Sequence, residues 1–169
     1  MRSDRSDFHD FIAPRLDSLR RLAYVLSHDW HHADDLVSDC IVKVLRSWPR
    51  IDAMEDPNAY LHRVLINTWL DERRMFRRRR ESPSDALPDV VRTDHQRAIV
   101  ERVTILAQIS KLPKRRRAVV VLRFYCDMSV EQTAQILGCS TGTVKSQTAR
   151  ALDTLRTAIG DISDIHQGV

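Results

Sequence analysis

The first 137 residues of this 169-residue chain contain no glycine, and this absence limits the folds that the chain can adopt. All four glycines, Gly138, Gly142, Gly160 and Gly168, follow that stretch. Gly-rich phosphate loops and Asn-Gly hairpins both need glycine, so neither can occur in the first 137 residues. The 6 prolines interrupt long runs of good helix formers. The sequence therefore predicts an all-α chain.

Composition argues against several further classes of protein. No apolar run approaches the ~20 residues of a membrane span, and the N-terminus lacks the apolar core of a signal peptide. We therefore expect a cytoplasmic protein without membrane insertion. The 3 cysteines lack CxxC spacing, which supports neither a disulfide framework nor a zinc site. Histidines and aspartates between His28 and Asp39 could form a metal cluster in an enzyme, but a polar turn explains them as well. We expect no metal, no cofactor and no catalytic group.

Apolar residues recur at three- and four-residue steps in three stretches of the N-terminal half, which is the period of a helix face. Residues 8–26 predict a first helix of about five turns. A second stretch, residues 36–48, stops before Pro49, as a helix before proline does. Asp56 and Pro57 predict the N-cap and first turn of a third helix, which runs into a series of arginines.

Residues 81–97 combine two prolines and two serines with several acids and have no sustained apolar period. They predict a flexible linker between an N-terminal domain, residues 1–80, and a C-terminal domain, residues 98–169. Residues 119–122 would suit a strand by β-propensity, but Pro113 at a helix start and the lack of partner strands favour a helix. We expect two small helical domains joined by the linker.

The segment that follows Met128 has the pattern of a helix-turn-helix. Ser129 and Gln132 predict a capping box at the start of a helix. Gly138 suits the left-handed backbone conformation in which such a helix commonly ends. Ser140 can cap a second helix, whose exposed face would present groups suited to phosphates and base edges in a major groove. These groups are Thr141, Thr143, Lys145, Ser146, Gln147, Thr148 and Arg150. An ordinary helical hairpin is the alternative.

The formal net charge of +4 is unevenly distributed along the chain. Residues 61–80 carry +5 and residues 111–169 carry +4, while the stretches before each are acidic. In the first basic island, Asn67, Asp71 and Arg74 lie on one helix face at steps of four and three. An amide beside cations suits single-stranded nucleic acid, although an arginine run can also be a solvated surface.

These motifs, in this order, resemble the extracytoplasmic-function class of bacterial RNA polymerase sigma factors. The segment ADDLVSDCIVKVLRSW, residues 33–48, is similar to the polymerase-binding segment of region 2. Asn67-Thr-Trp-Leu-Asp71 is similar to the Asn-x-x-x-Asp signature of the promoter-reading helix. Residues 112–156 are similar to region 4, with its Leu-Pro opening and Gly-Thr-Val-Lys-Ser turn. The similarity extends over residues 8–159.

The resemblance implies an alternative-type sigma factor that binds core RNA polymerase at its clamp and flap and directs promoter-specific initiation. The N-terminal domain would bind the minus-ten promoter element as a melted single strand, and the C-terminal domain would bind the minus-thirty-five element as a duplex. An anti-sigma factor is a common further partner in the family, and the sequence leaves its presence open. A stand-alone helix-turn-helix regulator is the alternative, but it would give the N-terminal motifs no role.

The resemblance also implies three sets of functional residues. The polymerase-binding set is Asp35, Leu36, Asp39 and Lys43. The minus-ten set is Arg63, Asn67, Asp71, Arg74 and Arg77. The minus-thirty-five set is Arg117 as a phosphate contact, with Ser140, Thr141, Thr143, Lys145, Ser146, Gln147 and Arg150.

Three positions depart from the family pattern, and one of them is Arg73, which stands where the family usually has an apolar residue. Gln147 stands where the family usually has arginine, which exchanges a phosphate-binding cation for an amide that could read adenine. Trp69 replaces a residue that is usually small. Its indole could stack on an unpaired base, but a buried tryptophan is the favoured interpretation.

Overall fold

The computed structural model describes the backbone of residues 2–79 and 98–167 and the side chains of residues 6–72 and 105–160. Apart from short turns, these residues are helical and include no strand, which confirms the predicted all-α class. No helix among them is long and apolar enough to cross a membrane. The helices are α1 (Arg2–Ile12), α2 (Leu16–Ser27), α3 (Trp30–Arg46), α4 (Trp48–Ile51), α5 (Pro57–Arg79), α6 (Ala98–Lys111), α7 (Lys114–Val120), α8 (Val130–Leu137) and α9 (Thr141–Gln167).

The prediction of one continuous helix over residues 8–26 is wrong. A short 3-10 turn, Ala13–Arg15, separates α1 from α2. Pro14 lies in this turn and explains it. Proline has no backbone N–H and its ring clashes with the preceding helical turn, so it interrupts the α-helix. Most of the apolar stripe is nevertheless buried, since α1 and α2 pack on the same core, while Leu16 is 38% exposed. Its buried members are Phe8, Ile12, Leu19, Leu22, Ala23 and Leu26.

Polar side chains fix the starts of the next helices. The carboxyl of Asp29 accepts hydrogen bonds from the backbone N–H groups of His31 and His32 at 2.8 and 3.1 Å and so caps α3. These bonds, chiefly the one from His32, lower the pKa of the Asp29 carboxyl. Asp56 accepts from the backbone N–H of Ala59 at 3.0 Å, which confirms the predicted cap of α5.

The predicted capping signals of the C-terminal half are also confirmed. Ser129 and Gln132 form the capping box of α8. Gly138 ends α8 at φ +61°, in the left-handed region that favours glycine. The hydroxyl of Ser140 accepts from the backbone N–H of Thr143 at 3.1 Å at the start of α9. Residues 119–122 are helical, since α7 continues into a π-helical turn, Val121–Tyr125.

The helices form two groups, α1 to α5 and α6 to α9, that share one hydrophobic core. Contacts of α5 with α7 and α8, and of α2 with α6, join them. The second group has a small additional cluster made of Leu112, Val120, Ala151 and Leu155. The predicted linker, residues 81–97, lies outside the described residues, so its flexibility and the boundaries 1–80 and 98–169 stay predictions.

Trp69 of α5 lies where the two groups meet, and it is only 1% exposed. Lys114 of α7 donates from Nζ to the Trp69 carbonyl oxygen at 2.7 Å and lies 4.7 Å from the centre of the indole ring. The guanidinium of Arg117 lies 5.4 Å from the same ring and donates from Nη1 to the Leu26 carbonyl oxygen at 2.6 Å. The burial of Trp69 confirms that it packs in the core.

Trp69→Ala should lower the free energy of unfolding by about 3–5 kcal/mol, because it leaves a cavity between the two groups of helices. Urea unfolding followed by circular dichroism measures the loss. Trp30→Ala is the matched control, because Trp30 is 43% exposed and stacks on Tyr24 at 4.1 Å. That change should cost about 1 kcal/mol. Equal losses in the two variants would contradict a central role for Trp69.

Candidate nucleic-acid interface

A groove of about 360 Å³ lies between the C-terminal end of α3 and one face of α5. Its walls combine three exposed cations, one carboxylate, an amide and a half-buried aromatic ring. Because the cations outnumber the carboxylate, the groove favours an anionic ligand. The lining residues are Lys43, Arg46, Ser47, Tyr60, Arg63, Val64, Asn67, Thr68 and Asp71.

The polar side chains of α5 in this groove follow from helix geometry. Arg63, Asn67 and Asp71 are spaced four residues apart, so they lie on one face of α5. Leu61, Leu65 and the other buried apolar residues of the helix face the core on the opposite side. The structure therefore brings together three of the five residues predicted to read the minus-ten element. The side chains of the other two, Arg74 and Arg77, lie outside the described residues, although both belong to the backbone of α5.

Lys43 lies in the wall of this groove, whereas the family resemblance assigned it to the polymerase-binding set. Its Nζ donates to the hydroxyl of Thr68 at 2.8 Å, and that hydroxyl donates to the Val64 carbonyl oxygen at 2.7 Å. These bonds hold the Lys43 cation against α5. Sequence reasoning also missed Arg46 and Tyr60 as groove residues. Only the packing of α3 on α5 brings Arg46 to this groove, and no local pattern signals that contact. Tyr60 lies on α5 itself, seven residues before Asn67, so helical spacing places it on the same face.

The remaining polymerase-binding candidates lie on α3. Asp35 and Asp39 are exposed, one helical turn apart, and form an acidic face. Leu36 is fully buried in the core, and its packing there holds α3 in place. The neighbouring carboxyl of Asp34 is occupied, because Arg20 donates to it at 2.5 and 3.1 Å. That hydrogen bond lowers the pKa of the Asp34 carboxyl.

A second polar surface lies on α9, on the side away from the core. Val144 is fully buried, and its burial fixes the rotation of the helix. Of the residues predicted for this surface, most are exposed, while Gln147 and Thr148 are half-buried at its two edges. The side-chain oxygen Oε1 of Gln147 accepts a hydrogen bond from Arg116 Nε at 3.2 Å. The exposed members are Ser140, Thr141, Thr143, Lys145, Ser146 and Arg150.

Arg117 lies apart from this surface. Its half-buried guanidinium donates to the carbonyl oxygens of Leu26, Ser110 and Leu112. These bonds tie the start of α7 to the turn before it and to the end of α2. Its predicted role as a phosphate contact stays a prediction, and it would require some of these bonds to break.

The histidine and aspartate cluster near the start of α3 has structural roles. Asp29 caps the helix, and His32 Nε2 lies 2.5 Å from Glu72 Oε2 of α5. Among the side chains that the structure describes, no group of three or more His, Cys, Asp or Glu residues is arranged to hold a metal ion.

Comparisons with known proteins identify relatives of both halves of the chain. The family Sigma-70 region 2 matches residues 11–81, and the family Sigma-70, region 4 matches residues 102–155. The RNA polymerase sigma-E factor of Streptomyces avermitilis is 37% identical over 153 residues, which cover 89% of this chain and 83% of that protein. The ECF RNA polymerase sigma factor SigM of Mycobacterium tuberculosis is 31% identical over 158 residues, covering 93% of this chain and 79% of that protein.

Solved structures show the same fold. The sigma factor RpoE of Bartonella quintana, solved in complex with the anti-sigma factor NepR, has a TM-score of 0.78 and 25% identity. The match covers 91% of this chain and 97% of that one. CnrH, solved with the cytosolic domain of CnrY, has a TM-score of 0.65 at 22% identity, with coverage of 93% and 90%.

We expect the groove between α3 and α5 to bind single-stranded DNA through Arg46 and Arg63. Arg46→Gln and Arg63→Gln should each weaken binding of a labelled single-stranded oligonucleotide and reduce the slope of log affinity against log salt by about 0.7 per lost phosphate contact. Fluorescence anisotropy at several salt concentrations measures both quantities. Arg50→Gln is the control, since Arg50 is exposed on α4 outside the groove. Equal effects of all three changes would mean that overall charge, and not the groove, binds the strand.

Proposed function

The chain belongs to the extracytoplasmic-function group of the sigma-70 family of RNA polymerase sigma factors, and we propose that it selects promoters by binding two DNA elements in two physical states. The N-terminal helices bind the minus-ten element as a melted single strand. The C-terminal helices bind the minus-thirty-five element as a duplex. Transcription initiation is the activity of the family, and the two modes of DNA binding are the proposal.

The observation that carries the proposal is the groove between α3 and α5, where the Asn67 amide lies among three cations. A phosphate backbone can follow Lys43, Arg46 and Arg63 along the groove. An unpaired base can form hydrogen bonds with the Asn67 amide and contact the ring of Tyr60. Such a site favours separated strands over a duplex, because only an unpaired base exposes its Watson–Crick edge to the amide and its face to the Tyr60 ring.

The surface of α9 supports the second half of the proposal. A helix whose exposed face carries Lys145 and Arg150 among hydroxyl groups suits the major groove of a duplex, where cations hold phosphates and hydroxyls contact base edges. Ser140 and Thr143 lie at the N-terminal end of α9, where the helix dipole favours phosphate.

The proposed mechanism needs no catalytic group. If the groove binds the melted strand better than the duplex, binding shifts the equilibrium towards the open state by that difference in affinity. Each surface alone makes few contacts and binds weakly. Core polymerase holds both on one promoter, so the second contact becomes intramolecular and the combined affinity rises.

Two protein partners belong to the proposal. Core polymerase would bind the acidic face formed by Asp35 and Asp39 through its clamp and a second contact through its flap. An anti-sigma factor is the other, because the RpoE relative was solved with one. An apolar cleft of about 630 Å³ between α2, α6 and the π-helical turn is available to it, with Trp30, Phe124 and Tyr125 exposed.

A stand-alone helix-turn-helix regulator is the alternative function. It would use the α9 surface but give no role to the groove of α5 or to the acidic face of α3. Run-off transcription with core polymerase and a promoter library separates the two functions. The proposed function gives promoter-specific transcripts, whereas a regulator binds DNA without polymerase and initiates nothing.

Asn67→Ala should lower open-complex formation about threefold to tenfold, because it removes a hydrogen bond that forms only with the melted strand. Permanganate reactivity of unpaired thymines measures opening, and native gels measure binding to core polymerase, which should not change. Asn58→Ala is the matched control on the same helix, since Asn58 contacts Arg15 and lies outside the groove. Equal loss of opening and of polymerase binding would indicate misfolding, and unchanged opening would contradict the proposed role.

The double change Asp35→Asn and Asp39→Asn should weaken binding to core polymerase about tenfold, mainly by slowing association, because it removes the charges of the acidic face. Surface plasmon resonance with immobilised polymerase measures both rates. Asp10→Asn with Asp17→Asn is the matched control, since both residues are exposed on α1 and α2 and the change in net charge is the same. If the control pair weakens binding equally, net charge and not this face attracts polymerase.

A further inference from the structure

One side-chain contact crosses from α7 to the edge of the α9 surface. Arg116 Nε donates to the Gln147 side-chain oxygen at 3.2 Å, and both residues are half-buried. Gln147 adjoins the exposed residue Ser146 and lies one turn before Arg150. Arg116 itself is outside the helix-turn-helix, and neither periodicity nor family resemblance points to it.

The contact determines which end of the Gln147 amide faces α7. A guanidinium has N–H donors and no acceptor, so the amide atom that faces it must be the carbonyl oxygen Oε1. The amide is planar, and Oε1 and Nε2 are on opposite sides of its carbon. Nε2, with two N–H donors, is therefore the end that points away from α7.

This orientation changes the base that Gln147 is suited to read. Bidentate recognition of adenine needs Oε1 and Nε2 side by side, because adenine offers one donor, N6–H, and one acceptor, N7. Oε1 retains a second lone pair, but its contact with Arg116 keeps it turned towards α7. Nε2 alone presents two donors, and guanine offers two acceptors, N7 and O6, at its major-groove edge.

Arg116 is well placed to hold this orientation because α7 is fixed on both sides of it. Ala118 and Val119 are buried, and Lys114 and Arg117 are bonded to the backbone of α5 and α2. The rotation of α7 is therefore set by the core, and the guanidinium of Arg116 reaches Gln147 from a rigid helix.

We propose that Arg116 is a positioning residue that sets the base preference of Gln147, so that the amide selects guanine over adenine at one base pair of the minus-thirty-five duplex. The proposal rests on the proposed function, because it requires the α9 surface to lie in the major groove. It replaces the expectation from sequence that Gln147 reads adenine.

The test is run-off transcription by core polymerase and the full chain from a library that covers every single-base change in the minus-thirty-five element. Gln147→Ala should abolish the base preference at one base pair and so identify it. Arg116→Ala should change the preference at that pair from guanine to adenine, with a shift of about tenfold in relative transcript, the scale of one bidentate contact. The variant that combines Arg116→Ala with Gln147→Ala should show the same base preferences across the library as Gln147→Ala alone.

Two further variants separate positioning from charge and from folding. Arg115→Ala removes an exposed cation from the same helix and should leave base preference unchanged. Arg116→Met keeps the length of the side chain without its donors and should repeat the effect of Arg116→Ala if the latter fails to fold, as judged by urea unfolding.

The results distinguish failure of this inference from failure of the proposed function. If Arg116→Ala lowers transcription equally on every promoter and leaves the preference intact, Arg116 contacts phosphate or only stabilises the fold, and the inference is overturned. It is also overturned if Gln147→Ala changes no preference. If the wild-type chain gives no promoter-dependent transcript, the proposed function itself fails.

Discussion

The structure depends on the packing of α7 against α5 at Trp69. Cations that leave water are costly to bury without partners, and the Trp69 ring and two backbone carbonyl oxygens supply those partners to the cations of α7. Lys114 and Arg117 hold their charges over the ring while donating to the carbonyls of Trp69 and Leu26. Cation–π contacts are worth about 0.5 to 2 kcal/mol each, and the value rises as the pair is shielded from water. This contact therefore binds the two groups of helices at one point of the shared core.

Both candidate DNA surfaces are built on the helices that meet at this contact. α5 carries Trp69 on its core side and Asn67 on its groove side, so the burial of the ring fixes the direction of the amide. α7 carries Arg117 on the side of α2 and Arg116 on the side of α9. Side chains that are positioned by a packed core lose little entropy on binding, which favours selective recognition by a small number of contacts.

Sequence reasoning predicted the features that depend on local chemistry. The caps at Asp56, Ser129 and Ser140 and the end of α8 at Gly138 all follow from interactions within a few residues. It failed at Pro14, where the strong apolar period of residues 8–26 concealed a break in the helix. The apolar period indicates which face of the helix is buried. A short 3-10 turn keeps the same face buried while it interrupts the α-helical hydrogen bonds.

In the candidate sites, too, features set by one helix could be predicted and contacts between helices could not. The spacing of Arg63, Asn67 and Asp71 on one face of α5 could be predicted, because a helix determines it. The placement of Lys43 in the same groove could not, because it results from a contact between α3 and α5 that joins residues far apart in the chain. No periodic pattern carries the information about which exposed residues of two helices become neighbours.

Side-chain hydrogen bonds of α7 and its neighbours change how the charge pattern of the C-terminal half is interpreted. Residues 111–169 carry a net charge of +4, which by itself suggests a strong attraction for DNA. In the folded chain, Lys114 and Arg117 are bonded to backbone carbonyls, Arg123 donates to the Met128 carbonyl, and Arg116 holds Gln147. On the exposed face of α9, the cations are Lys145, Arg150 and Arg156, and Arg156 lies 3.6 Å from the carboxyl of Asp153. Part of the basic island thus stabilises the fold, and we expect a surface with so few cations to bind free duplex weakly. In the proposed function, weak binding by each surface alone would allow polymerase to determine when both are used together.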